Sequence, residues 1–248
     1  MIPAAKSAWF TRWFSGVARS RIRKTFDHVH FRGVEGFRDA AESPVLLVSN
    51  HTCFWDPLVA VWSTNRVIQT DSYALMDGKN LRRLPFFRRI GAFGVDLDEP
   101  RDGGVAIRYA ARLLKTPRTL VWVFPQGDER PITERPLGFQ QGAAAIARLS
   151  PNAIVLPMAL RYEFGNRERP VLHINVGEPL PHFRDVENGR AAQEQAVTGL
   201  LDELDEHIRG GQPAATNEVF YQHSPSAVSR WMEMWLVRFT RGNTPRET

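Results

Sequence analysis

His51 and Asp56 are the residues whose types and spacing most directly suggest chemistry. They lie in the segment Val45 to Val61, which reads VLLVSNHTCFWDPLVAV. Histidine is the side chain that most often removes a proton from a hydroxyl near neutral pH. A carboxylate that accepts the proton of the second ring nitrogen fixes the tautomer and stabilises the imidazolium that forms. A turn between a strand and a helix would bring the two side chains together, so we predict that they form a general-base pair.

Asp56 and Cys53 also have other interpretations. Asp56 precedes Pro57, and Asp followed by Pro is typical of an N-cap and a first helical residue, so we expect Asp56 to cap a helix. Cys53 could be a thiol nucleophile with His51 as its base. These two lie only two residues apart, and such neighbours rarely face each other at a corner, so this reading is disfavoured.

A second motif follows another apolar run. The segment TLVWVFPQGDERP reaches a tight corner at Phe124-Pro-Gln-Gly127, and three charged residues, Asp128, Glu129 and Arg130, come next. Alone, it predicts a strand that ends in a turn with polar groups above a sheet.

Together the two motifs resemble the glycerolipid acyltransferases of the lysophosphatidic acid acyltransferase (PlsC-like) family. That family carries Asn-His-x4-Asp and, later in the chain, Phe-Pro-Glu-Gly-Thr-Arg. Two further segments, LRRLPFFRRIGAFGVDLD and AIVLPMAL, resemble its Pro-containing helix with the following Gly and Asp, and its Ile-Val-Pro-Val-type strand. The four blocks come in family order between Val45 and Leu160, and this order makes the resemblance specific.

The resemblance implies acyl transfer without a covalent enzyme intermediate and without a metal or cofactor. His51, oriented by Asp56, would deprotonate an acceptor hydroxyl, and the alkoxide would attack the thioester of acyl-CoA or acyl-carrier protein. Backbone donors near the motif loops would stabilise the oxyanion, with Asn50 and Gly127 as the supporting residues. The implied acceptor is a lipid, lysophosphatidic acid or a related lysophospholipid.

Three positions depart from the family pattern. The motif Glu is Gln126, the motif Arg is displaced by one position to Arg130, and Leu97 replaces the Arg that usually follows Asp96. Because a lost carboxylate and a lost arginine change what the pocket can pair with, the acceptor is open to a second interpretation, a sugar hydroxyl on a glycolipid or glycosylated terpenoid. We predict that Gln126, Arg130 and Arg101 bind the acceptor, with Arg135 as a further candidate for a phosphate clamp.

Short apolar runs alternate with helical patterns through the middle of the chain. This alternation predicts an α/β fold with a mixed, largely parallel sheet covered by helices on both faces, and ligands in such sheets bind beyond the carboxyl ends of the strands. The predicted strands are 45–49, 67–74, 91–96, 119–124, 153–162 and 171–176, and the predicted helices are 57–63, 81–89, 104–115, 142–149 and 191–209. We expect one catalytic domain over 27–210, flanked by an N-terminal segment 1–26 and a C-terminal tail 211–248.

Both flanking segments carry amphipathic helical patterns. Trp9, Phe10, Trp13 and Phe14 recur at helical spacing near the start, and Val228, Trp231, Trp235 and Phe239 do so near the end. Aromatic, basic helices suit the headgroup region of a membrane, and we predict membrane contact for the first set. Packing on the core is the alternative for both helices.

Basic residues are clustered, although the net charge is only +5. Residues 1–25 and 79–89 contain basic side chains and no acidic one, which favours an anionic partner. We predict that Arg82, Arg83, Arg88 and Arg89 meet the phosphates of the donor or of lipid headgroups. Nucleic acid is not an expected partner, because nothing resembles a nucleic-acid module.

Several other classes of protein and site are disfavoured. One cysteine among 248 residues permits no intrachain disulfide, and no apolar run approaches the ~20 residues that span a bilayer. We expect a cytoplasmic protein that is peripherally associated with the inner face of the membrane. The pair His28-x-His30 on a strand could ligate a metal, but no third ligand cluster is evident, and this stretch resembles the strand before the family's first block.

Two functions compete with acyl transfer. A hydrolase would use His51 and Asp56 to activate water against a lipid ester or thioester. A non-catalytic lipid-binding module at a membrane surface would have lost acyl transfer because its motif positions are altered.

Overall fold

An eight-stranded mixed sheet forms the centre of the molecule. A computed structural model of the chain describes residues 1–96, 99–165, 168–210 and 218–222. The strand order is β4-β3-β5-β2-β6-β7-β1-β8. The five strands from β4 to β6 are parallel, β7 is antiparallel to β6 and parallel to β1, and β8 is antiparallel to β1. The strands are β1 (His28–Arg32), β2 (Val45–Ser49), β3 (Asp71–Asp77), β4 (Ala92–Val95), β5 (Thr119–Val123), β6 (Ile154–Glu163), β7 (Val171–Val176) and β8 (Glu218–Gln222).

Helices cover both faces of this sheet, as the sequence predicts. Within the described ranges they are α1 (Ala8–Thr25), α2 (Val34–Ala40), α3 (Trp55–Trp62), α4 (Gly78–Arg83), α5 (Pro100–Leu113), α6 (Gly142–Leu149) and α7 (Val186–Arg209), with a π-helical segment at Ser63–Ile68 and a 3-10 helix at Pro85–Ile90. Helices α1, α2 and α3 bury their apolar residues on one face, and α5, α6 and α7 do so on the other. The predicted α/β class is confirmed.

Strand β2 shows how the two cores are built. All five of its residues are buried, and because side chains alternate along a strand, Val45 and Leu47 enter one core while Leu46 and Val48 enter the other. A strand buried on both faces lies in the middle of a sheet. The loops at its ends are therefore flanked by the neighbouring strands on both sides.

Helix α1 lies antiparallel to α3 and to the π-helical segment. Phe26, just after α1, packs on Trp55 at the start of α3 with ring centroids 5.1 Å apart. Ser15, in the middle of α1, accepts a hydrogen bond from Arg66 Nε near the end of the π-helical segment. The carboxyl end of α1 is therefore fixed beside the loop that joins β2 to α3.

Several predicted elements have different bounds: α5 begins at Pro100 instead of 104, and α7 begins at Val186 instead of 191. Three further elements differ for local reasons. Val67 and Ile68 belong to the π-helical segment, and Gln69 turns the chain with a φ of 61°, so β3 begins later than the apolar run suggests. Pro85 lacks a backbone N–H and disfavours a helical residue before it, and the predicted helix 81–89 is accordingly divided at Leu84. Helix α3 begins at Trp55 rather than at Pro57.

The flanking segments meet the sheet and its helices in different ways. Helix α1, in the N-terminal segment, packs along α3. Strand β8 lies in the segment that we predicted to be a tail, and it pairs with β1 at the edge of the sheet. The predicted C-terminal helix around Trp231 and Trp235 lies outside the described residues, as does Leu97.

Candidate active site

The two motif loops are adjacent because β2 and β5 are parallel neighbours. Val48 is paired with Val123, and His51 and Gln126 each lie three residues beyond this pair. The carboxyl ends of both strands therefore lie at the same edge of the sheet, which is where α/β folds bind ligands.

His51 and Asp56 are in direct contact, as their spacing suggests. His51 Nδ1 lies 2.7 Å from Asp56 Oδ2, and the Asp56 side chain is fully buried. The predicted role of Asp56 as an N-cap is wrong: it lies in the first turn of α3, whose N-cap is Phe54. Its carboxylate instead accepts hydrogen bonds from the backbone N–H groups of Thr52 (2.6 Å) and Cys53 (3.0 Å). The corner thus folds around the carboxylate, which satisfies a charge that would otherwise be costly to bury.

The backbone of His51 is held from the second motif. Its N–H donates to Gln126 Oε1 at 2.6 Å, and its carbonyl accepts from the N–H of Arg130 at 2.9 Å. The imidazole ring also stacks on Phe124, with 4.4 Å between centroids. Since Nδ1 is directed at Asp56, Nε2 is the ring nitrogen available to a substrate.

The side chain of Asn50 supports the corner. Its side chain is fully buried; the carboxamide nitrogen donates to the carbonyl of Leu160, and the oxygen accepts from the Leu160 N–H, at 2.9 and 2.8 Å. These side-chain bonds extend the contact between β2 and β6 to Asn50, one residue beyond the end of β2. The carboxamide is therefore committed to Leu160, and oxyanion stabilisation by backbone donors of this loop stays a prediction.

Gly127 closes the turn of the second motif. Its φ is +81°, and an added Cβ would lie 2.7 Å from Gln140 Nε2, so a side chain would be strained here for two reasons. The Gly127 N–H donates to the carbonyl of Phe124 at 3.1 Å. Like Asn50, Gly127 shapes its loop, and its own N–H is already used within the turn.

The residues predicted to bind the acceptor are spread along the carboxyl edge. Gln126 is buried against His51, whereas Arg130 is exposed beside it and its guanidinium lies 3.5 Å from Glu134. Arg101 lies in the first turn of α5, after β4, which is three positions from β2 in the sheet. Arg135 is directed at Asp202 and at nearby backbone carbonyls. Of these four, Gln126 and Arg130 contact the backbone of His51.

The residues predicted to meet a membrane form a surface with the 3-10 helix. Trp9 and Trp13 are 72% and 52% exposed, and Phe14 contacts both Phe86 and Phe87 with centroids 5.7 and 6.2 Å apart. The guanidinium of Arg89 lies over Phe10, 5.6 Å from the ring centroid. We call this surface the aromatic patch; it comprises Trp9, Phe10, Trp13, Phe14, Phe86 and Phe87.

The arginines predicted to bind phosphate differ in their surroundings. Arg82 forms an ion pair with Asp96 at 2.8 Å, and Arg88 donates to the carbonyl of Pro3 at 3.0 Å. Arg83 is exposed at the end of α4, and Arg89 is exposed beside the aromatic patch. Arg12 is exposed within the aromatic turn of α1.

Two chemical groups near the site have perturbed acidities. Burial, with a further contribution from Asp56, raises the pKa of the Cys53 thiol to about 11. Burial and the same carboxylate raise the pKa of Tyr162 well above its usual value. Both groups therefore keep their protons at neutral pH, which argues against Cys53 as a thiolate nucleophile.

Tyr162 is a site residue that sequence reasoning missed. Its hydroxyl donates to Asp56 Oδ1 at 2.6 Å, although 106 residues separate the two in the chain. It lies near the end of β6, in the same strand as the fourth family block and two residues beyond that block. No spacing rule links it to the first motif, and only the pairing of β2 with β6 brings them together.

His28 and His30 are part of a stack of imidazoles. The ring of His30 lies between those of His28 and His173, with centroid distances of 5.7 and 5.2 Å. Burial and the neighbouring histidines and Arg161 lower the pKa of His173 to about 4. Across the described ranges, no group of three or more His, Cys, Asp or Glu side chains is arranged to hold a metal ion.

The fold and the paired loops are those of an α/β acyltransferase. A family model described as Acyltransferase matches residues 28–161, just over half of the chain, and includes both motifs. The chain belongs to this Acyltransferase family and is an acyltransferase.

Among solved structures, the chain is similar to the 1-acyl-sn-glycerophosphate (LPA) acyltransferase PlsC from Thermotoga maritima. The two chains share 18% identity, the match covers 79% of each, and the TM-score is 0.59. At this identity the likeness establishes a common fold. No curated protein sequence matches the chain. Among the described helices, none combines the length and apolar character needed to cross a bilayer.

Proposed function

We propose that the protein transfers a fatty acyl group from acyl-CoA or acyl-carrier protein to a hydroxyl of a lipid acceptor, a lysophospholipid such as lysophosphatidic acid. The observation that carries this proposal is the 2.7 Å contact between His51 Nδ1 and the buried carboxylate of Asp56. The Thermotoga maritima protein of the same fold is an LPA acyltransferase, which supports the choice of acceptor.

In the proposed reaction, His51 Nε2 removes the proton of the acceptor hydroxyl. The oxygen then forms a bond to the carbonyl carbon of the thioester, and a tetrahedral oxyanion results. As the carbonyl reforms, the carbon–sulfur bond breaks, and the departing thiolate takes the proton from His51. Asp56 stabilises the imidazolium between these two proton transfers, so the enzyme ends each turnover in its starting state.

The surroundings of Cys53 favour direct transfer to the acceptor rather than transfer through a thioester formed on the enzyme. A nucleophilic thiol must be deprotonated, and a pKa of about 11 leaves very little thiolate at neutral pH. Its sulfur lies 3.9 Å from Asp56 Oδ1, and this carboxylate opposes further negative charge. The proposed mechanism therefore has no covalent intermediate, and it requires no metal or cofactor.

Gln126 favours a second candidate acceptor. Its side chain is neutral, and its oxygen is already bonded to the His51 N–H. The pocket beside the base thus lacks the carboxylate of the family motif. A glycolipid or a glycosylated terpenoid, whose sugar hydroxyls carry no charge, is compatible with this pocket. For a lysophosphatidic acid acceptor, Arg130 is a predicted phosphate partner whose backbone N–H bonds the His51 carbonyl, and Arg101 is a second one, on α5.

We also propose that the aromatic patch lies against an anionic membrane surface. Exposed tryptophans are costly in water and favourable among headgroups, where arginines meet phosphates. Arg12, Arg83 and Arg89 are exposed on or beside the patch. A peripheral protein at the inner face of the cytoplasmic membrane would have direct access to lipid acceptors, and the neighbouring arginines would equally suit the phosphates of acyl-CoA. Nucleic acid is not a proposed partner.

An acyl-transfer assay tests the proposed function. Purified protein is incubated with vesicles, radiolabelled acyl-CoA or acyl-carrier protein, and a panel of lysophospholipids and glycolipids. We expect a labelled lipid product from the wild type, and a loss of about a thousandfold or more with His51→Ala. His182→Ala is the matched control, because His182 bonds Ala153 near the amino end of β6, at the opposite edge of the sheet.

Two outcomes would favour the competing functions, and a third would contradict the proposed mechanism. Release of free fatty acid that does not respond to added lipid alcohol identifies a hydrolase. Vesicle binding without product, by the wild type as well as by His51→Ala, identifies a lipid-binding module. Transfer at the wild-type rate by His51→Ala contradicts the proposed mechanism.

A further inference from the structure

Both oxygens of the Asp56 carboxylate have hydrogen-bond partners, and His51 is only one of them. Oδ2 accepts from the N–H groups of Thr52 and Cys53 and contacts His51 Nδ1. Among the residues that the structure describes, Oδ1 has one strong donor, the hydroxyl of Tyr162 at 2.6 Å; the thiol of Cys53 is 3.9 Å away and contributes weakly. The loop thus fixes one carboxylate oxygen, and the other depends on a residue from a different strand.

Tyr162 is itself held in place by the core. It lies in β6, and its ring packs on Phe26 with 5.7 Å between centroids, while Phe26 packs on Trp55. Its phenol keeps its proton because burial and the Asp56 charge raise its pKa. The hydroxyl is therefore a donor toward the carboxylate, and its ring is placed by β6 and by Phe26, which both lie outside the two motif loops.

A hydrogen bond to a carboxylate withdraws charge from it and limits its rotation. Both effects reach His51, because the strength and direction of the Asp56–His51 contact decide how readily the imidazole accepts and returns a proton. With Tyr162 in place, Oδ1 is occupied and Oδ2 stays directed at Nδ1.

We propose that Tyr162 is a positioning residue of the catalytic pair: it orients the Asp56 carboxylate and moderates its basicity, and so sets the pH range in which His51 acts as a base. This inference rests on the proposed function, since it assumes that His51 and Asp56 perform acyl transfer. It adds a third side chain, from β6, to a pair that the first motif alone supplies.

Tyr162→Phe tests the proposal with a minimal change, since it removes only the hydroxyl. We expect kcat to fall by roughly tenfold, the size of one lost hydrogen bond to a charged group, with KM for donor and acceptor unchanged. We also expect the acidic limb of the pH–rate profile to move to higher pH, on the order of half a unit. A more basic Asp56 favours protonated His51, so the neutral base is lost at a higher pH than in the wild type.

A double-variant cycle separates positioning from a general structural effect. If Tyr162 acts through Asp56, Tyr162→Phe has no further effect on the residual activity of Asp56→Asn. Tyr109→Phe is the matched control, because Tyr109 packs on Phe93 in the opposite core, and it should leave both kcat and the pH profile unchanged. Circular dichroism and thermal melting show whether each variant is folded.

The outcomes distinguish this inference from the proposed function. An unmoved pH profile in Tyr162→Phe, or a full tenfold loss that persists in the Asp56→Asn background, overturns the role of Tyr162. In that case inactive His51→Ala still supports the base. Active His51→Ala instead overturns the proposed function, whatever Tyr162→Phe does.

Discussion

Gln126 joins the two motifs, because its side-chain oxygen accepts a hydrogen bond from the backbone N–H of His51 at 2.6 Å. Each residue lies three positions beyond the paired residues Val48 and Val123 of neighbouring strands. The second motif therefore does more than border a substrate pocket: it fixes the backbone of the proposed base. Either Glu or Gln can accept this bond, which explains how the motif keeps its structural task without the family's carboxylate.

Substitutions of Gln126 separate its anchoring of the His51 backbone from its place beside the substrate pocket. Gln126→Ala leaves the His51 N–H without a partner, and we expect it to lower the free energy of unfolding by about 1–3 kcal/mol and to reduce kcat. Gln126→Glu keeps the acceptor, so it should destabilise the protein less than Gln126→Ala does, with a cost that comes only from burying the new charge. The added charge near His51 favours its protonated form and should move the acidic limb of the pH–rate profile to higher pH. Urea unfolding and pH–rate profiles measure the two effects; equal stability of Gln126→Ala and wild type would contradict the anchoring role.

Asn50 should be essential for folding of the corner rather than for chemistry alone. Asn50→Ala removes both hydrogen bonds to Leu160 inside the buried core, and we expect a loss of about 2–4 kcal/mol in unfolding free energy. Asn50→Asp should also destabilise the protein, because it places an oxygen opposite the Leu160 carbonyl. Asn188→Ala, at an exposed position of α7, is the control and should stay within about 0.5 kcal/mol of wild type. Normal urea midpoints for both Asn50 variants would refute this assignment.

The sequence predicts the strands that carry the site better than it predicts their contacts. The bounds predicted for β2 and β7 are correct. Strand β2 is an apolar run buried on both faces, and β7 alternates apolar residues with His173 and Asn175. The start of β3 is misplaced because Val67, a residue typical of strands, is used in a π-helical turn. Strand β8 is five residues long, like β2, but its sequence EVFYQ has a polar residue at each end, so it does not stand out within the predicted tail.

The contact between His51 and Asp56 can be predicted from their spacing, whereas the residues that support this pair cannot. Tyr162 and Gln126 reach the first motif from strands that neighbour β2 in the sheet, and strand order is not encoded in any short pattern. The capping role predicted for Asp56 is wrong for the opposite reason, because a local signal favours it and the contacts of the folded loop do not. Asp before Pro is a strong local capping signal, but the carboxylate turns back to the loop amides of Thr52 and Cys53.

The aromatic patch gives a prediction for membrane binding. Trp9→Ala with Trp13→Ala removes its two most exposed rings, and we expect binding to anionic vesicles to weaken by roughly tenfold or more, because each buried aromatic contributes on the order of 1–3 kcal/mol. Sedimentation with vesicles that contain phosphatidylglycerol measures the change, and raised salt should weaken the electrostatic part. Leu149→Ala, an exposed apolar residue on α6 across the sheet, is the matched control. Unchanged binding by the double variant would place the membrane contact elsewhere.

Cys53 should be a slow nucleophile whose loss leaves the chemistry intact. Its pKa of about 11 means that the thiol form predominates at neutral pH, so alkylation by iodoacetamide should be far slower than for an ordinary cysteine and should accelerate as the pH rises toward 11. Mass spectrometry of the modified chain follows this rate across pH. Cys53→Ala keeps the backbone N–H that binds Asp56, and we therefore expect kcat within about threefold of wild type. Rapid alkylation at pH 7, together with an inactive Cys53→Ala that still folds, would instead indicate that the thiol takes part in the reaction.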